Sequence, residues 1–129
     1  MNPTPGLIGE ANTIVDDTNT AASLGSGLVP VFGTPALIAL LELAAVHAVA
    51  ESLPHGSTSV GTHLDVRHLA ATPVGMSVRA TATLTQVDGR RLTFAVEAYD
   101  EVEKVGEGSH TRVIVEAARF VQRADAKLR

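Results

Sequence analysis

Three side chains able to handle a proton or an acyl group stand out by where they fall: the carboxylate Glu42, the imidazole His68 and the hydroxyl Thr34. Glu42 lies inside a stretch, Thr34 to Ser52, that is apolar nearly all the way round, the pattern of a helix buried on most sides. At roughly 100° per residue His47 and Glu51 form an i,i+4 pair, and Glu42 points about 140–180° away from them. With His47 and Glu51 on the solvated edge, Glu42 is expected to face inward. A buried carboxylate is costly unless it is paired or protonated, so its presence needs a reason. Catalysis is one; an arginine paired with it at an oligomer interface is another.

His68 is in phase with Val60, Leu64 and Val66, the strand face expected to meet that helix. A lone histidine there is often no more than a core residue. A strand packed on the helix would nevertheless bring an acid and a base to one cavity, as general acid–base chemistry near neutral pH requires. Thr34 reads first as a helix N-cap, with Pro35 at the first helical position. It precedes Glu42 by eight residues, so along one straight helix the two are roughly 12 Å apart. Contact between them would need Thr34 folded back in the preceding loop, or a second subunit completing the site.

The other histidines read more plainly. His63, on the face opposite His68, belongs to the surface or an interface, and His47 and His55 to solvent. His110 and Arg112 are i,i+2 and face the same way; they could orient an anionic group, but a plain strand surface is the simpler reading. No metal-ligand spacing, phosphate-binding glycine loop or Gly-x-Ser-x-Gly elbow is present, so no metal or cofactor is expected.

The elements that must position these residues follow from periodicity. A weak strand spans Glu10 to Val15, and a polar stretch with Gly25-Ser26-Gly27 leads to the helix, which stops by Pro54-His55-Gly56. The period then changes to two. Thr58 to Leu69 alternates, Thr72-Pro73-Val74-Gly75 turns the chain, and Val78, Ala80, Ala82 and Leu84 define one face of the next strand. Asp88-Gly89 signals a hairpin into Leu92, Phe94, Val96 and Ala98, and a last strand runs from about Val105 to Phe120. The expectation is an α+β fold, one long buried helix wrapped by a curved antiparallel sheet, with residues 1–129 as one domain and residues 1–27 only a weak strand and loop.

Composition bounds the function. The 129 residues are 45% hydrophobic but only 3% aromatic and lack Trp, so the core must be built from Val, Leu, Ile and Ala. A net charge of −4 without any Lys/Arg run argues against nucleic acid. The chain has no Cys, hence no disulfide and no thiol nucleophile. The N-terminus lacks signal-peptide character, and the longest apolar run is too short and too interrupted for a bilayer, so a soluble, cytoplasmic protein is expected.

The run His68-Leu69-Ala70-Ala71-Thr72-Pro73-Val74-Gly75, continued through Val78, Ala80, Ala82 and Leu84 to Val87-Asp88-Gly89-Arg90-Arg91-Leu92, resembles the hotdog-fold acyl-CoA thioesterases of the fluoroacetyl-CoA thioesterase-like group. Val31-Phe32-Gly33-Thr34 with Glu42 eight residues on, and Gly106-Glu107-Gly108-Ser109-His110-Thr111-Arg112, carry the same resemblance, which covers about residues 28 to 122. It implies a hotdog fold, a homodimer with sites at the subunit interface that could pair into a tetramer, and hydrolysis of a small acyl-CoA thioester without a cofactor. The family's catalytic Thr, Glu and His fall on Thr34, Glu42 and His68, and Gly61 stands where a site-lining glycine is expected; Phe32, Pro73 and Gly75 join it as substrate-binding candidates. Leu28-Val29-Pro30 departs from the fluoroacetyl-specialised member, which is aromatic there, and this points to another short acyl group. Two alternatives share the fold. An enoyl-CoA hydratase would carry one Asp-to-His motif, whereas Asp65 and His68 lie on opposite strand faces; a non-catalytic acyl-CoA binder would hold the ester without turnover.

Overall fold

The computed structural model describes residues 2–128. Their elements are β1 (Ile8–Ile14), α1 (Ala21–Leu24), α2 (Thr34–Val49), β2 (Ser57–His68), β3 (Ser77–Asp88), β4 (Arg91–Asp100), β5 (Lys104–Glu116) and α3 (Ala117–Asp125). The five strands form one antiparallel sheet in the order β1-β3-β4-β5-β2, and α2 lies against one face of it.

The uninterrupted alternations hold as expected. Val78, Ala80, Ala82 and Leu84 of β3 and Leu92, Phe94, Val96 and Ala98 of β4 are all buried against Leu37, Leu41, Ala44, Ala45 and Val49 of α2. Each large apolar side chain so buried is worth about 1.5–3 kcal/mol relative to exposure. Small residues set the spacing. A Cβ on Gly9 would run into the backbone of Ala44 and Ala48, so β1 and α2 meet almost backbone to backbone. The Asp88-Gly89 signal is realised as a two-residue turn in which Gly89 takes φ +61°, as hairpin turns of the primed types demand.

Other expectations change. The helix ends at Val49, not Ser52. The last strand stops at Glu116, and Phe120 lies in a third helix whose Ala117-Ala118-Arg119 opening favours helix over strand. A short helix, capped by Thr20, occupies part of the stretch read as loop. In β2 the pairing passes from Gly61↔Arg112 to His63↔Thr111, leaving Thr62 as an extra residue. That bulge reverses the phase of the strand. Ser59 and Gly61 therefore share the helix side with Val66 and His68, and Val60 does not.

Candidate active site

The first cluster forms at the start of α2. Gly33, not Thr34, is the N-cap, and Thr34 is the first helical residue with Pro35 after it. A side chain at 33 would crowd Ala21 and Leu24 of α1, which explains glycine there. Relieved of capping, the Thr34 hydroxyl stands 2.8 Å from Nδ1 of His68, the last residue of β2. The other ring nitrogen, His68 Nε2, is buried without a hydrogen-bond partner among the described residues. Burial pulls this imidazole below its ordinary pKa and keeps it neutral near neutral pH. The pair opens on a cleft of about 460 Å³ whose wall includes Val29, Val31, Phe32 and Ala70.

Phe32 is buried, with its N–H donating to the Thr72 carbonyl at 2.9 Å. Pro73 bridges to Val31, and Gly75, at φ +98°, donates its N–H to the Val15 carbonyl at 2.8 Å. Pro73 thus braces the loop before the helix and Gly75 the end of β1, and both lie outside the cleft wall.

Glu42 belongs to a second cluster. Its side chain faces the sheet, as expected, but keeps 37% exposure, so it is half-buried and not the fully buried group expected. One carboxylate oxygen lies 3.3 Å from Arg112 Nη1 and 4.0 Å from His110 Nε2. His110 and Arg112, expected on a strand surface, are both buried on the helix side of β5. Their polar atoms are matched one by one. Arg112 Nε donates to Ser59 Oγ and Nη2 to the Ser59 carbonyl, each at 2.8 Å. His110 Nδ1 faces the His63 carbonyl at 2.8 Å and must carry the proton there, so Nε2 is free to accept from Arg112 Nη1 at 3.1 Å. Burial lowers the pKa of both His110 and Arg112, and Glu42 opposes that in each. Gly61 faces the same cluster: a Cβ there would stand 2.6 Å from the Glu42 carboxylate and 3.1 Å from the His110 ring. A larger residue there would have to displace the Glu42 carboxylate from its place beside Arg112.

The remaining histidines are exposed, as expected, although His47 Nδ1 also donates to the Glu10 carbonyl, 2.6 Å away, and ties α2 to β1. Among the described residues no group of three or more His, Asp or Glu side chains could hold a metal. Nor is any helix long and apolar enough to cross a membrane.

The two clusters do not meet within one chain. Thr34 and Glu42 are separated by two turns of α2, roughly 12 Å along its axis. Gly61 and His68 are seven residues apart on β2, roughly 23 Å when extended. Sequence reasoning singled out Thr34, His68, Glu42 and Gly61 but missed what Arg112 and His110 do. The signal available was their shared strand face, which needed the inner side of β5 to be identified first.

Comparison with known proteins gives a consistent picture. Residues 15–118 match the family described as fluoroacetyl-CoA-specific thioesterase. The fluoroacetyl-CoA thioesterase of Streptantibioticus cattleyicolor is 43% identical over 90 residues, 70% of this chain and 65% of that protein, so the match spans just under two thirds of the relative's length. The solved structure of the fluoroacetyl-CoA thioesterase FlK superposes with a TM-score of 0.93 at 32% identity, covering 100% of both chains. A variant of that enzyme in complex with fluoroacetate and CoA gives 0.86 at 35% identity, over 92% of this chain and 99% of the other.

Proposed function

The chain belongs to the fluoroacetyl-CoA-specific thioesterase family and has the hotdog fold of its relatives, and from that premise we propose that it hydrolyses a short-chain acyl-CoA thioester to the free acid and CoA. One observation carries the reading: a hydroxyl and an imidazole in hydrogen-bond contact at an apolar cleft, the second ring nitrogen buried and unengaged. A buried nitrogen without a partner is costly unless something arrives to use it.

The proposed site needs two copies of the chain. β2 is an edge strand, and its helix-side residues near Gly61 and Leu64 are left open by α2 of the same chain. Pairing β2 with its symmetry mate would cover that edge and form an isologous interface. It would carry the Glu42 cluster of one subunit toward the Thr34–His68 pair of the other. The proposed homodimer thereby assembles hydroxyl, imidazole and carboxylate that one chain keeps apart.

In the proposed reaction Thr34 holds the His68 ring through Nδ1, and neutral Nε2 takes a proton from a water directed by Glu42. The water oxygen bonds to the acyl carbon, the C–S bond breaks, and Nε2–H returns the proton to the departing CoA sulfur. Free backbone N–H groups at the start of α2 are available to the developing oxyanion. Only water and the acyl-CoA are consumed, and no cofactor takes part. With acyl-CoA as substrate, the protein is placed in the cytoplasm beside that pool.

Thiol release from a panel of short acyl-CoAs tests this, and the Cys-free chain adds no background. Turnover that collapses in His68→Ala and Glu42→Gln while the fold is retained is the expected result. Tight binding without turnover would replace the hydrolase with a binding protein. An acyl group trapped on Glu42 or Thr34 would overturn the water-first route.

A further inference from the structure

At the far end of the molecule from the Thr34–His68 cleft, α3, the β3–β4 turn and the loop entering β2 enclose a second groove, of about 450 Å³. Its wall carries three arginines, Arg90, Arg119 and Arg123, together with the ring of Phe120 and the apolar side chains of Leu53 and Ile114. This concentration of positive charge is notable on a chain whose net charge is −4. None of the three arginines forms an ion pair among the described residues, and all are exposed; Glu116 is the acidic side chain in the same wall. Phe120 is 46% exposed although it is among the largest apolar side chains of the protein. Unpaired guanidinium forks beside an open aromatic face and an apolar wall match a phosphorylated nucleoside: phosphates on the arginines, base against the ring.

We propose that this groove binds the 3′-phosphorylated ADP end of the acyl-CoA whose acyl group lies in the partner subunit's Thr34–His68 cleft. The inference rests on the acyl-CoA reading above and adds to it where the nucleotide sits. The groove touches β2 at Ser57, and the cleft touches it at His68. Within one chain that is the full 12-residue strand, roughly 36 Å when extended, longer than the pantetheine arm can bridge. Two β2 strands paired antiparallel about a twofold between Leu64 and Asp65 set Gly61, and with it Glu42, of one beside the His68 end of the other, and Ser57 then lies only four residues, roughly 13 Å, beyond that point. The groove of each subunit then serves the cleft of its partner.

The test compares a short acyl-CoA with the same acyl group on N-acetylcysteamine, which keeps the thioester and lacks the nucleotide. For the Arg119→Glu, Arg123→Glu double variant the expected result is a rise in KM for acyl-CoA of about tenfold or more with kcat little changed. Kinetics with the truncated ester should match wild type, and the double Arg→Lys variant should recover most of the loss. A KM that is unchanged, or that rises equally for both esters, would overturn the proposal. A wild type that turns over neither ester would instead fail the hydrolase reading. The groove is then judged by calorimetric titration with 3′-phosphoadenosine 5′-diphosphate: binding abolished by the double variant supports it, and no binding to wild type overturns it.

Discussion

The two polar clusters beside α2 are built on opposite principles. Around Arg112 and His110 each buried nitrogen has a partner: the Ser59 hydroxyl and carbonyl, the His63 carbonyl, the Glu42 carboxylate or the other member of the pair. At the start of the same helix the imidazole of His68 has one partner, Thr34, and one buried nitrogen left over. A fully satisfied network holds geometry, whereas an incomplete one in an apolar cleft is where a substrate or a water must enter. In the proposed reaction this difference gives the Arg112 cluster the task of positioning Glu42 and the Thr34–His68 pair that of proton transfer.

The comparison can be broken most forcefully at His68. Replacing it with Ala should lower kcat by about 10²–10⁴-fold with the fold intact; circular dichroism beside the kinetics checks both halves, and a loss below tenfold would remove the imidazole from the reaction. Arg112→Met should act the other way round, chiefly on stability. It leaves Ser59, His110 and Glu42 without their shared donor, for about 2–4 kcal/mol by denaturant unfolding, and unchanged stability would mean that the network holds nothing. Gly61→Ala sharpens the contrast because its Cβ would press on the Glu42 carboxylate. A loss of about 1–2 kcal/mol, with a fall in kcat, is the expected outcome.

The smallest effect is the pH dependence of stability. The folded pKa of His68, and that of His110, is pulled below the ordinary imidazole value by burial. The unfolded chain therefore takes up protons that the folded chain does not. Stability should be complete above the ordinary value of about 6.5 and decline as the pH falls from there toward the lowered folded values. Unfolding curves measured across that window should slope less steeply in His68→Ala, with His110 carrying the remainder. A slope unaltered by the substitution would show that His68 is not desolvated.

How much of this was legible in the sequence depended on whether a pattern ran unbroken. β3 and β4 alternate without fault, Asp88-Gly89 marks their turn, and the apolar stretch after Gly33 can only be a buried helix; all three are read correctly up to their ends. β2 was misphased in its first half because one bulged residue, Thr62, changes which side chains face α2, and nothing local marks it. The burial of Arg112 and His110 was hidden for a related reason: His-x-Arg looks like a solvated face until the sheet order puts β5 between β4 and β2. Among the site residues, Thr34, Glu42 and His68 were named for their chemistry and by family resemblance. Their division into two clusters depends on the N-cap falling at Gly33 and on contacts between residues 34 positions apart. Such long-range facts have no local signature. The ending of β5 at Glu116 was lost because an alternating strand and an amphipathic helix look alike over the few residues around Phe120.

The central claim, that a working site joins Thr34 and His68 of one subunit to Glu42 of its partner, is tested most directly by complementation. Purified Glu42→Gln and His68→Ala proteins, each inactive alone, would be unfolded, mixed in equal amounts and refolded together. A mixed dimer would then hold one intact site and one doubly defective site. With random pairing, activity should return to about one quarter of that of refolded wild type. No recovery, with mixed dimers shown to be present by native mass spectrometry, would contradict the shared site and return Glu42 to the chain that carries His68.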